Sequence, residues 1–263
     1  MRQCIFCPNK ADTKEHVWSQ WILDLLPEGK NGVFRMRTPE GTLQSRKSLK
    51  PDQTAKFICG ACNNGWMSAK LEAPMKAITS DIILRNNRKT FSPADCLHIT
   101  RWAYKTAILS NLIDPQGRQN PYFSEQTRHS FAKNLSIPGD VHVWIARRNA
   151  GYLTAAYRSV RRLQQPNGPL TPHLLRPPVS PNRFETYTCT FTVGFLILQV
   201  LCARWTERKP PDFPRITQAP RFLNCASCIW PNAGFRVDWP PRDAIDNQLF
   251  AQFWDRFENY TFA

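Results

Sequence analysis

Apolar residues along this chain recur at helical spacing in some stretches and alternate at strand spacing in others. The apolar stretch from Trp18 to Leu26 stops before Pro27 and predicts a short helix. From Glu28 to Lys56 polar and basic positions dominate, with turn residues at Lys30-Asn31-Gly32 and Pro39-Glu40-Gly41, so a hairpin-like excursion is expected. Lys56-Phe57-Ile58 reads as a short strand. Trp66, Met67, Leu71, Met75, Ile78 and Ile82 then fall near three- and four-residue spacing. They predict a helix from Trp66 to Leu84 that Asn63 or Asn64 would cap and Pro74 would kink or split. The polar, basic link at Arg85–Thr90 is the expected boundary between a unit of residues 1–88 and a unit of residues 89–263.

Beyond that link, Ser92-Pro93 would cap a helix running to about Ile113, ahead of Pro115. Tyr122–Leu135 is a second helix. Val141–Ala146 alternates as a strand, with Gly151–Tyr157 its expected neighbour, and the Pro-rich stretch Leu163–Arg183 reads as a surface loop. Thr186–Ala203 holds one long strand or a hairpin. Its apolar run, Phe191–Ala203, includes Thr192, Gly194 and Gln199; it is too short and too mixed to cross a bilayer and predicts a buried strand. The last helix, about Ala244–Glu258, carries Leu249, Phe250, Phe253, Trp254 and Phe257 as a core-facing aromatic stripe. The fold class expected is α+β, with antiparallel strands in the larger C-terminal region.

Composition sharpens this picture in one respect. Thirty-five Lys and Arg against twenty Asp and Glu give +15, a surface that attracts polyanions, nucleic acid first, and no membrane is expected as a partner. The excursion at 28–56 carries seven cations against three carboxylates. Arg35, Arg37, Arg46, Lys47 and Lys50 are therefore candidate phosphate contacts. Nine cysteines would suit disulfides in a secreted chain, but Met1-Arg2-Gln3-Cys4 has no apolar leader. Metal binding in a reducing cytoplasm is the expectation.

The candidate chemistry is concentrated near the N-terminus. Cys4/Cys7 and Cys59/Cys62 form two Cys-x-x-Cys pairs, enough thiolates for one tetrahedral structural zinc. Between the pairs lies Glu15-His16, and Asn63 follows the last cysteine. A carboxylate and an amide oxygen suit Mg²⁺ or Mn²⁺, and an imidazole can take a proton from water near neutral pH. Adjacent residues on an extended strand leave on opposite faces, so a target shared by Glu15 and His16 requires a turn or bulge there. Cys225 and Cys228 form a third pair with no second pair nearby. His98, His129, His142 and His173 lack ligand spacing and read as surface or helix residues.

Cys4-Ile5-Phe6-Cys7, Glu15-His16-Val17 and Cys59-Gly60-Ala61-Cys62-Asn63-Asn64 resemble the HNH endonuclease superfamily, in its zinc-knuckle form around a ββα-metal core. The resemblance covers roughly residues 1–75. It implies an N-terminal HNH module, Glu15 and Asn63 as ligands of one divalent metal, and His16 as general base in phosphodiester hydrolysis. DNA is the favoured substrate, and residues 89–263 would bind DNA or a partner. The middle residue of the family motif has no clear counterpart, Gln53 and Asp52 being nearest. Trp66 stands where members often carry Lys; Asn64 is an alternative ligand, and Glu72 a further helper. The other readings are a non-catalytic zinc module that binds nucleic acid, or an adaptor subunit with protein partners or in a homo-oligomer.

Overall fold

The computed structural model describes residues 2–25, 32–37, 43–48, 54–113, 115–119, 121–149, 154–162, 184–205, 216–231, 234–253 and 260–262. It is a mixed helix-and-sheet protein, as the pattern predicts. β1 (Thr13–His16) leads to α1 (Gln20–Leu25), β2 (Gly32–Arg37), β3 (Leu43–Ser48) and β4 (Thr54–Ile58), and β4 returns antiparallel to β1. A π-helical segment, Ala61–Glu72, then runs into α2 (Ala73–Arg85). Asn63 and Asn64 do not cap it. The helix begins inside the knuckle, where the Cys59 carbonyl accepts from the amides of Cys62 and Asn63 at 3.1 and 3.0 Å. Nor is Pro74 where the helix breaks. It sits in the first turn of α2, and Glu72 and Ala73 ahead of it keep helical dihedral angles. The break comes earlier, at Gly65, whose ψ of −110° is outside the helical range.

β5 (Lys89–Phe91) precedes α3 (Pro93–Ile113), α4 (Pro115–Gln119) and α5 (Glu125–Asn134). α3 starts as predicted. Ser92 Oγ accepts from the Asp95 amide at 3.1 Å, while Asp95 Oδ2 accepts from the Ser92 amide at 2.9 Å, a reciprocal cap. Then follow β6 (Val141–Arg147), β7 (Thr154–Arg162), β8 (Phe184–Val193), β9 (Leu196–Trp205), β10 (Ile216–Gln218), β11 (Ala226–Trp230), β12 (Val237–Trp239), α6 (Asn247–Phe253) and β13 (Tyr260–Phe262).

The main sheet has seven strands in the order β11-β6-β9-β8-β7-β2-β3. β6 therefore neighbours β9 and β11, not β7. The reason is the tight β8–β9 hairpin, which inserts between them. Its turn is at Gly194, with φ +54°, where a Cβ would lie 2.0 Å from the Ile83 carbonyl oxygen; only glycine lets the turn dock on α2. β2 joins β7 in parallel, so the basic hairpin belongs to this sheet.

Side chains alternate across the sheet's central strands. Val143 and Ile145 of β6, with Leu198 and Val200 of β9, join a core that includes Trp102, Tyr104 and Ile108 of α3. Trp144, Ile197 and Leu201 join Phe250 and Phe253 of α6 on the opposite face. Burial on both faces is why Phe191–Ala203 reads as a continuous apolar run. Phe250 and Phe253 are core, whereas Trp254 and Phe257 lie outside the described residues. The α3-side core runs from Cys4 and Phe6 through Trp18 and Met67 to Trp239, crossing residue 88 without interruption. His142 is not at the surface: it is buried and stacks on Trp144 at 5.7 Å. No described helix is long and apolar enough to cross a membrane.

Candidate metal centre and the residues beside it

The two knuckles converge. The four sulfurs of Cys4, Cys7, Cys59 and Cys62 lie within 4.8 Å of one another, with Cys7 Sγ 3.5 Å from Cys59 Sγ and 3.6 Å from Cys62 Sγ. A tetrahedron of zinc–sulfur bonds near 2.3 Å has sulfur–sulfur edges of about 3.8 Å, so the cluster fits zinc with little adjustment. Burial pushes the Cys4 and Cys62 thiols up. Burial acts the same way on Cys59, but the Cys62 amide and the neighbouring thiols outweigh it and hold Cys59 below its ordinary value. Four such groups do not all ionise without a cation, and a bound zinc would hold them as thiolates.

Two further residues support this centre, of which the sequence marked only Trp66. Trp66 packs edge-on against Phe6 of the first knuckle at 5.4 Å and against Phe131 at 5.8 Å. The position where the resemblance suggests Lys thus serves the scaffold. Arg128 of α5 donates from Nε to the Ile5 carbonyl at 3.1 Å, holding the first knuckle against the C-terminal region.

The knuckles carry the first helical turn to β1. Asp12 Oδ1 accepts from the Gly60 amide at 2.8 Å, and Asn63 Nδ2 approaches Thr13 Oγ1 and the Lys14 carbonyl, each at 3.4 Å. Asn63 is therefore brought beside the Glu15-His16 strand. Glu15 and His16 are not brought to a common point. The irregularity in the β1–β4 pairing lies before Glu15, and the register then holds at Glu15 opposite Ala55 and His16 opposite Thr54. Glu15 turns inward at 8% exposure, while His16 is half-buried on the other face.

Inside, Glu15 meets a lysine. Lys105 of α3, fully buried, places Nζ 3.0 Å from Glu15 Oε1 and 2.7 Å from Glu72 Oε1. Glu72 Oε2 accepts from the indole nitrogens of Trp21 at 2.9 Å and Trp102 at 3.0 Å. Burial opposes the Lys105 charge, but Glu72 and Glu15 outweigh it and raise the ammonium above its ordinary value. Burial likewise opposes the Glu72 charge, and Lys105 outweighs it, so Glu72 ionises below the usual carboxylate range.

This arrangement does not fit a divalent metal on Glu15. A dication about 4 Å from an ammonium is repelled by roughly 8 kcal/mol at an effective dielectric of 20. The expected nucleic-acid contacts Arg35 and Arg37 lie on β2, and Arg46 and Lys47 on β3, the outer pair of the main sheet rather than part of the β1–β4 unit. Lys50, Asp52, Gln53 and His173 lie outside the described residues. Asn64 is exposed. Cys225 is buried, and Cys228 Sγ donates to the Trp230 carbonyl at 3.2 Å. Among the described residues, the four knuckle cysteines are the group placed to hold a metal.

No protein-family model, curated protein or solved structure matches this chain.

Proposed function

We propose that this protein is a zinc-stabilised phosphodiester hydrolase of nucleic acid, DNA favoured, built on an HNH-type module with His16 as the general base. The observation that supports the reading is the β1–β4 pair, clasped by four cysteines onto a helix whose first turn sets Asn63 against β1. This leaves His16 half-buried, within reach of solvent, on the face opposite the buried Glu15. His16 would take a proton from a water as the water oxygen attacks phosphorus and the 3′ oxygen departs. Zinc is scaffold, and the basic surface draws the polyanion. The Mg²⁺ or Mn²⁺ that the resemblance implies enters no step, because Lys105 holds Glu15; here Glu15 and Lys105 fix the strand that carries His16.

Lys105 also favours a second reading: a non-catalytic zinc module that binds nucleic acid on a degenerate HNH scaffold. The two separate on incubating zinc-loaded protein with plasmid and with single-stranded DNA, with and without added Mg²⁺ or Mn²⁺. New ends support hydrolysis. Salt-sensitive binding that leaves every strand intact refutes hydrolysis and selects the second reading.

A further inference from the structure

Beyond the zinc module, β12 pairs with β5 so that Asp238 lies opposite Thr90 and Trp239 opposite Lys89. Beside this ribbon is a cleft of about 640 Å³ lined by Arg88, Arg147, Trp239 and Arg242. A second hollow of about 470 Å³, lined by Phe235 and Arg236, adjoins it. The two share Asp238, Pro240, Pro241 and Arg242, so together they form an extended track.

The charge of the track calls for an anion. Among the described lining residues four arginines stand against one carboxylate, Asp238, which already accepts from Thr90 Oγ1 at 2.7 Å. Lys89 is also committed, donating to the Ile78 carbonyl at 2.9 Å.

A second feature narrows the ligand. Phe235 is 72% exposed on the adjoining hollow, next to exposed Arg236. A flat apolar ring at one end of a cationic track suits a polymer that alternates phosphate with a flat heterocycle. A single strand offers its base faces to such a ring, whereas a duplex keeps them stacked inside. We propose that this track binds single-stranded nucleic acid, a backbone phosphate on Arg147 and Arg242 and a base on Phe235. The proposal deepens the reading of the chain as acting on nucleic acid, and it needs no cleavage.

Fluorescence anisotropy of a labelled oligothymidylate, with full-length zinc-loaded protein and no added divalent ion, tests it. Binding should weaken with salt, and Arg242→Gln should reduce the slope of log K against log salt by about 0.7. Phe235→Ala should weaken binding about fivefold to hundredfold. Both positions are exposed, so neither change disturbs the core. Arg85→Gln, removing an exposed cation on α2, should change affinity less than either. Equal losses in all three variants would overturn the proposal. So would full competition by inorganic phosphate, which would mean a free-phosphate site, or binding of anionic vesicles in place of the oligonucleotide. If the strand binds through the track yet is never cut, the hydrolase reading fails and this one stands. If it is cut while Arg242→Gln and Phe235→Ala bind normally, this one fails alone.

Discussion

Replacing Lys105 with Met tests the buried ion cluster directly. The ammonium is fully buried, 3.0 Å from Glu15 and 2.7 Å from Glu72, and its removal leaves two carboxylates in the interior without a cation. Removing one partner of a buried pair costs about 3–5 kcal/mol. In a chain of this size each kcal/mol lowers Tm by roughly 2–4 °C, so Lys105→Met should lose about 6–20 °C. Lys105→Met combined with Glu15→Gln should be more stable than Lys105→Met alone, because one of the stranded charges is gone. Thermal unfolding of the zinc-loaded proteins, followed by circular dichroism, reads both. A Tm for Lys105→Met within about 2 °C of wild type, or a double variant that simply adds two losses, would refute the reasoning.

The same cluster sets a pH dependence. Glu72 ionises below its ordinary 4.5, so its contribution is present above that value and is lost as pH falls through the depressed one. Lys105 is raised above its ordinary 10.5, so its contribution is present below that value and is lost as pH rises through the raised one. Denaturant midpoints should therefore be flat in between and drop on the acid side; in Lys105→Met, acidification to about pH 4 should instead recover stability, since protonation neutralises the stranded carboxylates. Elemental analysis should find one zinc per chain, and Cys59→Ser should lose it together with the cooperative unfolding of the knuckle region, since structural zinc in finger peptides contributes about 10–16 kcal/mol. Gly194→Ala forces a Cβ to within 2.0 Å of a backbone oxygen at positive φ, and a cost of at least about 1–3 kcal/mol should appear as a lower denaturant midpoint.

The four-cysteine cluster was legible in the sequence because each Cys-x-x-Cys pair is a local signal, and two such pairs need only one fold to meet. The ends of α3 were equally legible, since Ser92, Pro93 and Pro115 act on their own backbone. The Glu15–Lys105 pair spans 90 residues, and no local rule links its members. A trace of it was present all the same. From Trp102 to Leu112 every residue of α3 is buried, and Lys105 is the one charge in that stretch. A lone charge in a helix buried all round signals a buried counter-charge. The pairing of β2 with β7 left no such trace. Alternation marks strands, whereas parallel partners are chosen by crossovers far apart in the chain. The residues of the 28–56 excursion thus marked a basic hairpin without showing which sheet it joins.

The central claim, hydrolysis with His16 as base, is tested most directly by the rate at which zinc-loaded wild type and His16→Ala cut one labelled single-stranded DNA. The account predicts cutting by wild type and a loss of about 10²–10⁴-fold in the variant, with zinc content unchanged. Equal rates, or no cutting by either protein, would contradict it.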